Sequence, residues 1–194
     1  MSEVTEDQRR AVSPRRIALI AVAAALAIAA VAVVSDLTGG KVTNGHGAVL
    51  PTSALVGEHV RNFSLPGLRG GVERAPWTLG RASVLIFFAS WCTPCQGEIP
   101  KVAAYLRSHD PSPVEVLGID ANDERGAALN FVRRDGVTFP VAFDANGDVT
   151  SEVFGFEELP ESVFINAKGV VTEVYFGAIP EAKLARGIRS LRPV

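Results

Sequence analysis

Trp91-Cys92-Thr93-Pro94-Cys95 contains the only two cysteines of the chain, and two residues separate them. At that spacing two thiols can open and close a disulfide across a single helical turn. The thiolate is the form that attacks a disulfide, so the chemistry depends on what stabilises it. A zinc site is a poor alternative, because His46, His59 and His109 are far from the pair in sequence and from each other. A purely structural bridge is also disfavoured, since closing so small a loop removes little chain entropy.

The elements on either side explain how the pair is positioned. Val84-Leu85-Ile86-Phe87-Phe88-Ala89 is apolar and uncharged, the signature of a buried strand. After it, Pro94 fits the first turn of a helix, and Glu98, Val102, Tyr105 and Leu106 recur at helical spacing. The cysteines therefore fall at a strand-to-helix junction, where unpaired amides and the helix dipole lower a thiol pKa from about 8.5 towards roughly 3.5–7.5. Cys92 is expected to be the nucleophile. Cys95, one turn further in, is expected to be the resolving thiol.

The chain has 194 residues, 47% hydrophobic and 21% charged, with a net charge of −2, and no basic stripe points to nucleic acid. Residues 1–16 are polar, with Arg9, Arg10, Arg15 and Arg16, and read as a cytoplasmic tail. Ile17 to Val34 then runs without a charge, near the lower limit for spanning about 30 Å of hydrocarbon. One transmembrane helix over residues 17–34 is expected, with the arginines inside and the rest of the chain outside a bacterial cell membrane. A cleaved signal peptide is the rival, but the small-residue sites Ala27-Ile28-Ala29 and Ala30-Val31-Ala32 fall within the apolar run. Cleavage there would release a secreted protein. Residues 35–54, with Gly39-Gly40, Gly45, Gly47 and Pro51, read as a flexible linker.

The folded domain is expected over residues 55–194. Strands are predicted at Val60 to Leu65, Trp77 to Leu79, Ser83 to Ala89, Val114 to Ile119 and Phe139 to Phe143, with a hairpin from Ser162 to Ile165 and Val170 to Phe176. Helices are expected from the cysteines to about His109, kinked at Pro100, then from Glu124 to Arg134 and from Pro180 to Leu191. Asp144-Ala145-Asn146-Gly147-Asp148 lacks the spacing of a calcium loop and reads as a turn. This alternation gives an α/β sandwich around a mixed sheet.

With its Cys-x-x-Cys at a strand–helix junction and a later strand–hairpin–helix, the chain resembles the thioredoxin superfamily. More narrowly, it resembles the membrane-anchored TlpA/ResA type of thiol:disulfide oxidoreductase. The matching patches are Val56-Gly57-Glu58 with Phe63-Ser64-Leu65-Pro66, the segment from Phe88 to Cys95 with Glu98-Ile99-Pro100, and Leu159-Pro160 before Val163-Phe164-Ile165. The resemblance implies a thioredoxin-like three-layer sandwich and a cis-Pro160 packed on the disulfide. It also implies that Trp91, Thr93, Pro94, Leu159 and Pro160 meet the partner. The buried Asp of thioredoxins proper is replaced by Ile86, and Glu98 matches the acid that the TlpA/ResA type carries one turn beyond the second cysteine. Glu98 is thus expected to handle the proton of Cys95. Glu161-Ser162 stands where the family usually has Thr-Thr, and with Glu157 and Glu158 it predicts an acidic rim that selects basic partners.

The leading functional expectation is a reductase of protein cysteine pairs, with apocytochrome c as the target that the family implies. A membrane thiol reductase of the DsbD/CcdA type would supply its electrons, and no cofactor or metal is expected. The alternatives are an oxidant that installs disulfides, a peroxidase of the peroxiredoxin branch, and a non-catalytic docking module. The peroxidase pattern needs Pro and Thr where this chain has Leu85 and Ala89.

Overall fold

The computed structural model of the chain describes residues 54–156 and 158–193. The expected tail and anchor, with nearly all of the linker, lie outside them, as does Glu157. Among the described residues no helix is long and apolar enough to cross a membrane.

Two short strands, β1 (Ser64–Pro66) and β2 (Val72–Arg74), pair antiparallel. The main sheet is built from β3 (Ser83–Phe88), β4 (Glu115–Ala121), β5 (Val141–Asp144), β6 (Glu161–Ile165) and β7 (Val171–Phe176), in the order β5-β4-β3-β6-β7. β3 and β4 run parallel, as do β4 and β5, whereas β6 is antiparallel to both β3 and β7. Helix α1 (Thr93–Ser108) connects β3 to β4, α2 (Arg125–Arg134) connects β4 to β5, and α3 (Glu181–Leu191) follows β7.

Every residue of β3 is buried, which is why its sequence is continuously apolar rather than alternating. Val84, Ile86 and Phe88 face a core that includes Ile99 and Val102 of α1, Phe131 of α2, and Leu184 and Ile188 of α3. Leu85 and Phe87 face the opposite core, with Val60, Phe63, Trp77, Phe154 and Phe156. Helices therefore cover one sheet face and irregular chain with β1 and β2 covers the other, the three layers expected. Each large side chain so enclosed contributes about 1.5–3 kcal/mol.

Local departures from expectation have local causes. Trp77 to Leu79 is not a strand but part of a 3₁₀ turn, Pro76–Leu79, begun by Pro76 and ended by Gly80 at φ 69°. The second strand comes earlier, after Gly70 and Gly71, whose positive φ values of 104° and 76° make the tight reversal from β1. The Asp144 to Asp148 segment does turn, and a π-helical turn, Val149–Val153, follows it. The Asp144 carboxylate accepts from the amides of Val149 and Thr150 and from the Thr150 hydroxyl, a tertiary cap with no sequence period.

The α3–β6 contact is unusually close. A Cβ built on Gly187 would meet the Phe164 ring at 2.0 Å. Gly187→Ala should therefore lower stability by about 1–3 kcal/mol through overpacking, despite a gain of about 1 kcal/mol in helix propensity. Urea unfolding should show a lower midpoint at unchanged slope.

Candidate active site

Cys92 ends the loop after β3 and caps α1. Its backbone is extended, its amide donates to Ala89 O at 3.2 Å, and its Sγ accepts from the Cys95 amide at 3.2 Å. Caps usually present oxygen; here the reactive sulfur takes that place. The first-turn amides and the dipole that stabilise an anion are thus aimed at the atom that must carry charge in the reduced protein. Cys92 and Cys95 are joined as a disulfide, with Cα atoms 5.2 Å apart. Cys95 is fully enclosed while Cys92 retains 4% exposure, so a partner reaches Cys92 first. Thr93 and Pro94 are exposed beside it.

The loop that delivers Cys92 is held by the segment after β4. The Ser90 amide and hydroxyl donate to the Asp123 carboxylate at 2.5 and 2.9 Å, and Trp91 Nε1 donates to Asn122 O at 2.8 Å. Gln96 Nε2 closes the arrangement on Ser90 O at 2.9 Å. Pinned in this way, the Trp91 ring is still 57% exposed, an apolar surface next to the disulfide.

Glu98 lies one helical turn beyond Cys95 and is buried. Its Oε1 accepts from the Ile179 amide at 2.8 Å, while Oε2 is enclosed without a partner among the described residues. Burial pushes its pKa up to about 7, and the Ile179 hydrogen bond opposes this only in part. A carboxyl near pH 7 exchanges protons readily in either direction. It lines a cleft of about 510 Å³ with Pro94, Lys101 and Tyr105 of α1, and Ile179 and Pro180 before α3.

The Leu159–Pro160 peptide is cis. The β3–β6 register, in which Glu161 faces Phe87, carries this loop to the end of β3. Leu159 packs against the core that contains both cysteines. Pro160 O accepts from the Gly177 amide, whereas among the described residues neither the N–H nor the C=O of Leu159 has a backbone partner. A free edge of this kind can pair with an extended peptide.

The acidic rim requires a correction. Glu161 is not at the rim: it is a buried residue of β6, and burial, followed by the charge of Glu158, pushes its pKa up to about 7. Alternation in a strand whose two faces are both covered turns this side chain inward. Glu158 is exposed.

Two features escaped the sequence reading. One is the Asn122-Asp123 clamp, which a loop sequence does not disclose. The other is Asp120, a fully buried acid on β4 opposite Phe88, whose only sequence signal is a charge inside the apolar run Val116 to Ala121. Among the described residues no group of three His, Cys, Asp or Glu side chains could hold a metal ion. A larger cleft, about 1200 Å³, lies at the far ends of β3 and β4, lined by Ala82, Pro113 and Glu115, away from the disulfide.

The raised pKa of Glu98 has a definite sign in stability. Below about pH 4.5 the folded and unfolded chains both hold the proton. Between there and about 7 the unfolded chain releases it first, so stability is lost as pH rises. Glu98→Gln should flatten the fall in unfolding free energy across that window by on the order of 3 kcal/mol, measured by urea titration of the oxidised protein at several pH values.

Comparison with known proteins agrees with this geometry. The AhpC/TSA family model matches residues 56–174. The thiol-disulfide oxidoreductase ResA of Halalkalibacterium halodurans is 27% identical over 140 residues, which cover 72% of this chain and 79% of the relative. The crystal structure of a putative thiol:disulfide interchange protein DsbE from Chlorobium tepidum superposes with a TM-score of 0.62 at 28% identity, covering 70% of this chain and 96% of that one. The MTB dsbF structure gives a TM-score of 0.59 at 30% identity, covering 67% and 95%. Two cysteines one helical turn apart, joined as a disulfide that caps a helix, with a cis-proline loop brought to the same end of β3, suit dithiol exchange, and the chain belongs to the AhpC/TSA family as a thioredoxin-like thiol:disulfide oxidoreductase of the ResA/DsbE type.

Proposed function

We propose that the chain is a reductase of protein disulfides, anchored in the membrane by residues 17–34 with its domain on the outer side. The observation that carries the direction of electron flow is the buried carboxyl of Glu98 one turn from Cys95. A strong oxidant of this class owes its potential to a stabilised thiolate in the reduced form. Carboxyl groups have the opposite effect, because a nearby negative charge disfavours the thiolate and leaves the disulfide comparatively stable. Such a pair gives electrons away.

The reaction balances as two exchanges. The Cys92 thiolate attacks one sulfur of the partner's disulfide, forms a mixed disulfide and expels the other partner sulfur as a thiolate. Glu98 in its carboxylate form takes the proton of Cys95. The Cys95 sulfur then attacks Cys92, which closes the Cys92–Cys95 bond and releases the second partner sulfur. Two electrons pass to the partner, and a membrane thiol reductase of the DsbD/CcdA type would restore them. Trp91, Thr93 and Pro94 border the point of attack, and Leu159 offers the backbone edge. The Cys-x-x-Cys-His segment of apocytochrome c would pair with this edge as an extended peptide, and the exposed Glu158 would supply charge for its basic side chain.

A peroxidase reading has less support, since Leu85 and Ala89 are buried apolar residues at the positions where the peroxiredoxin pattern needs Pro and Thr.

In the full chain the Cys92/Cys95 couple should equilibrate at or below about −230 mV; a value near about −120 mV would make disulfide insertion the function instead. Cys95→Ser should accumulate mixed disulfides with a peptide containing an oxidised Cys-x-x-Cys-His, and Cys92→Ser should form none, as read by non-reducing gel and mass spectrometry. Replacing Glu158 with Lys should slow reduction of that peptide several-fold at low salt and little at high salt.

A further inference from the structure

Asp120 is fully enclosed, and neither of its carboxyl oxygens has a donor among the described residues. Such a group costs stability unless it is neutral or shares a proton. Its place on β4 is specific. It pairs with Phe88 of β3 on one side and Phe143 of β5 on the other, in the last turns of sheet before the active-site loop. Three charged groups act on it from the surrounding elements: Asp123 from the loop after β4, Arg125 from the start of α2, and Asp144 from β5.

Two of these are otherwise engaged. Asp144 is taken up by the amides of Val149 and Thr150 and the Thr150 hydroxyl, while Arg125 donates to Gly67 O and Leu68 O and lies over the Phe143 ring. Asp123 is the acid that grips the active-site loop. Its carboxylate receives the amide and hydroxyl of Ser90 and the amide of Glu124 at 2.7 Å. An acid beside an acid can bond only through a proton.

We propose that Asp120 is a positioning residue that stays protonated and donates to the Asp123 carboxylate, so that one shared proton fixes the clamp on Ser90 and Trp91 and hence the entry of Cys92 into α1. When Asp120 loses that proton, a fully buried carboxylate stands beside the half-buried one of Asp123. Their repulsion is relieved by moving Asp123, the one with a link to the surface, and its hold on Ser90 weakens. The Trp91 indole, tied to Asn122 O in the same clamp, then changes surroundings. Burial, reinforced by the Asp123 and Asp144 charges against that of Arg125, pushes the Asp120 pKa up to about 8. The device thus acts just above neutral pH, whichever way electrons flow through the cysteines.

The test uses the full chain in its oxidised form, in which neither cysteine titrates, with Trp77→Phe so that Trp91 is the only indole. Trp91 fluorescence should change with a midpoint near pH 8, and Asp120→Asn, which keeps a donor at all pH values, should abolish that step. Either a step retained in Asp120→Asn or a flat response in the parent from about pH 6 to about pH 10 would overturn the proposal. If Asp120→Asn does not fold, infrared spectroscopy of the parent decides with Glu98→Gln and Glu161→Gln in place: a protonated carboxyl stretch should persist at pH 7 and disappear above about pH 8, and its absence at pH 7 refutes the shared proton.

Discussion

Cys92 is at once the last residue of a loop and the cap of a helix, and its sulfur takes up the Cys95 amide. This single arrangement makes the rest of the structure necessary. A sulfur can cap α1 only if the chain leaves β3 at the right angle, and β3 is held rigid by burial on both faces. The loop between them is too short to hold its own shape. Ser90 and Trp91 are therefore bound from outside, by the residues that follow β4, and the parallel pairing of β3 with β4 brings those residues alongside.

The buried acids of the domain share one electrostatic theme. Glu98, Glu161 and Asp120 are all buried, and desolvation is the first cause of the raised pKa in each case. Their positions differ. Glu98 lies on α1, one turn beyond the resolving cysteine. Glu161 follows the cis-proline on β6. Asp120 lies behind the clamp on β4. A helix N-terminus favours the Cys92 thiolate, and the buried Glu98 carboxyl one turn beyond Cys95 opposes it. A site of this kind differs in balance from one in which only the helix acts.

The sheet's second face has a quieter role. Phe63, Trp77, Phe154 and Phe156 pack edge-on around Phe87 and one another, which closes the side of β3 that the helices leave open. Trp77 Nε1 donates to Asn62 Oδ1 at 2.9 Å, so this polar side chain belongs to the packing. Nothing on that face approaches the sulfurs, yet without it β3 would have no fixed position from which to present them.

How much of this was legible in the chain depends on the range of the interaction concerned. The β3 run, the helix begun at Pro94, the cysteine spacing and the final hairpin with α3 are encoded by neighbours in sequence, through periodicity, proline placement and turn residues, and the sequence alone determined them. Glu98 was pointed out by the family resemblance, and helical spacing added only that three residues place it one turn from Cys95. What only the tertiary structure decided is which acids are inside. Glu161 read as a rim charge, because a lone Glu after a proline says nothing about what covers the strand. Asp120 fell just beyond the expected strand Val114 to Ile119 and Asp123 just before the expected helix at Glu124, and nothing local marked either for a role at the site, because the Ser90 partner of Asp123 lies 33 residues away in the chain. Burial, and the pKa shifts it causes, are properties of the layers that close over a residue; those layers come from distant segments, and local sequence carries no record of them.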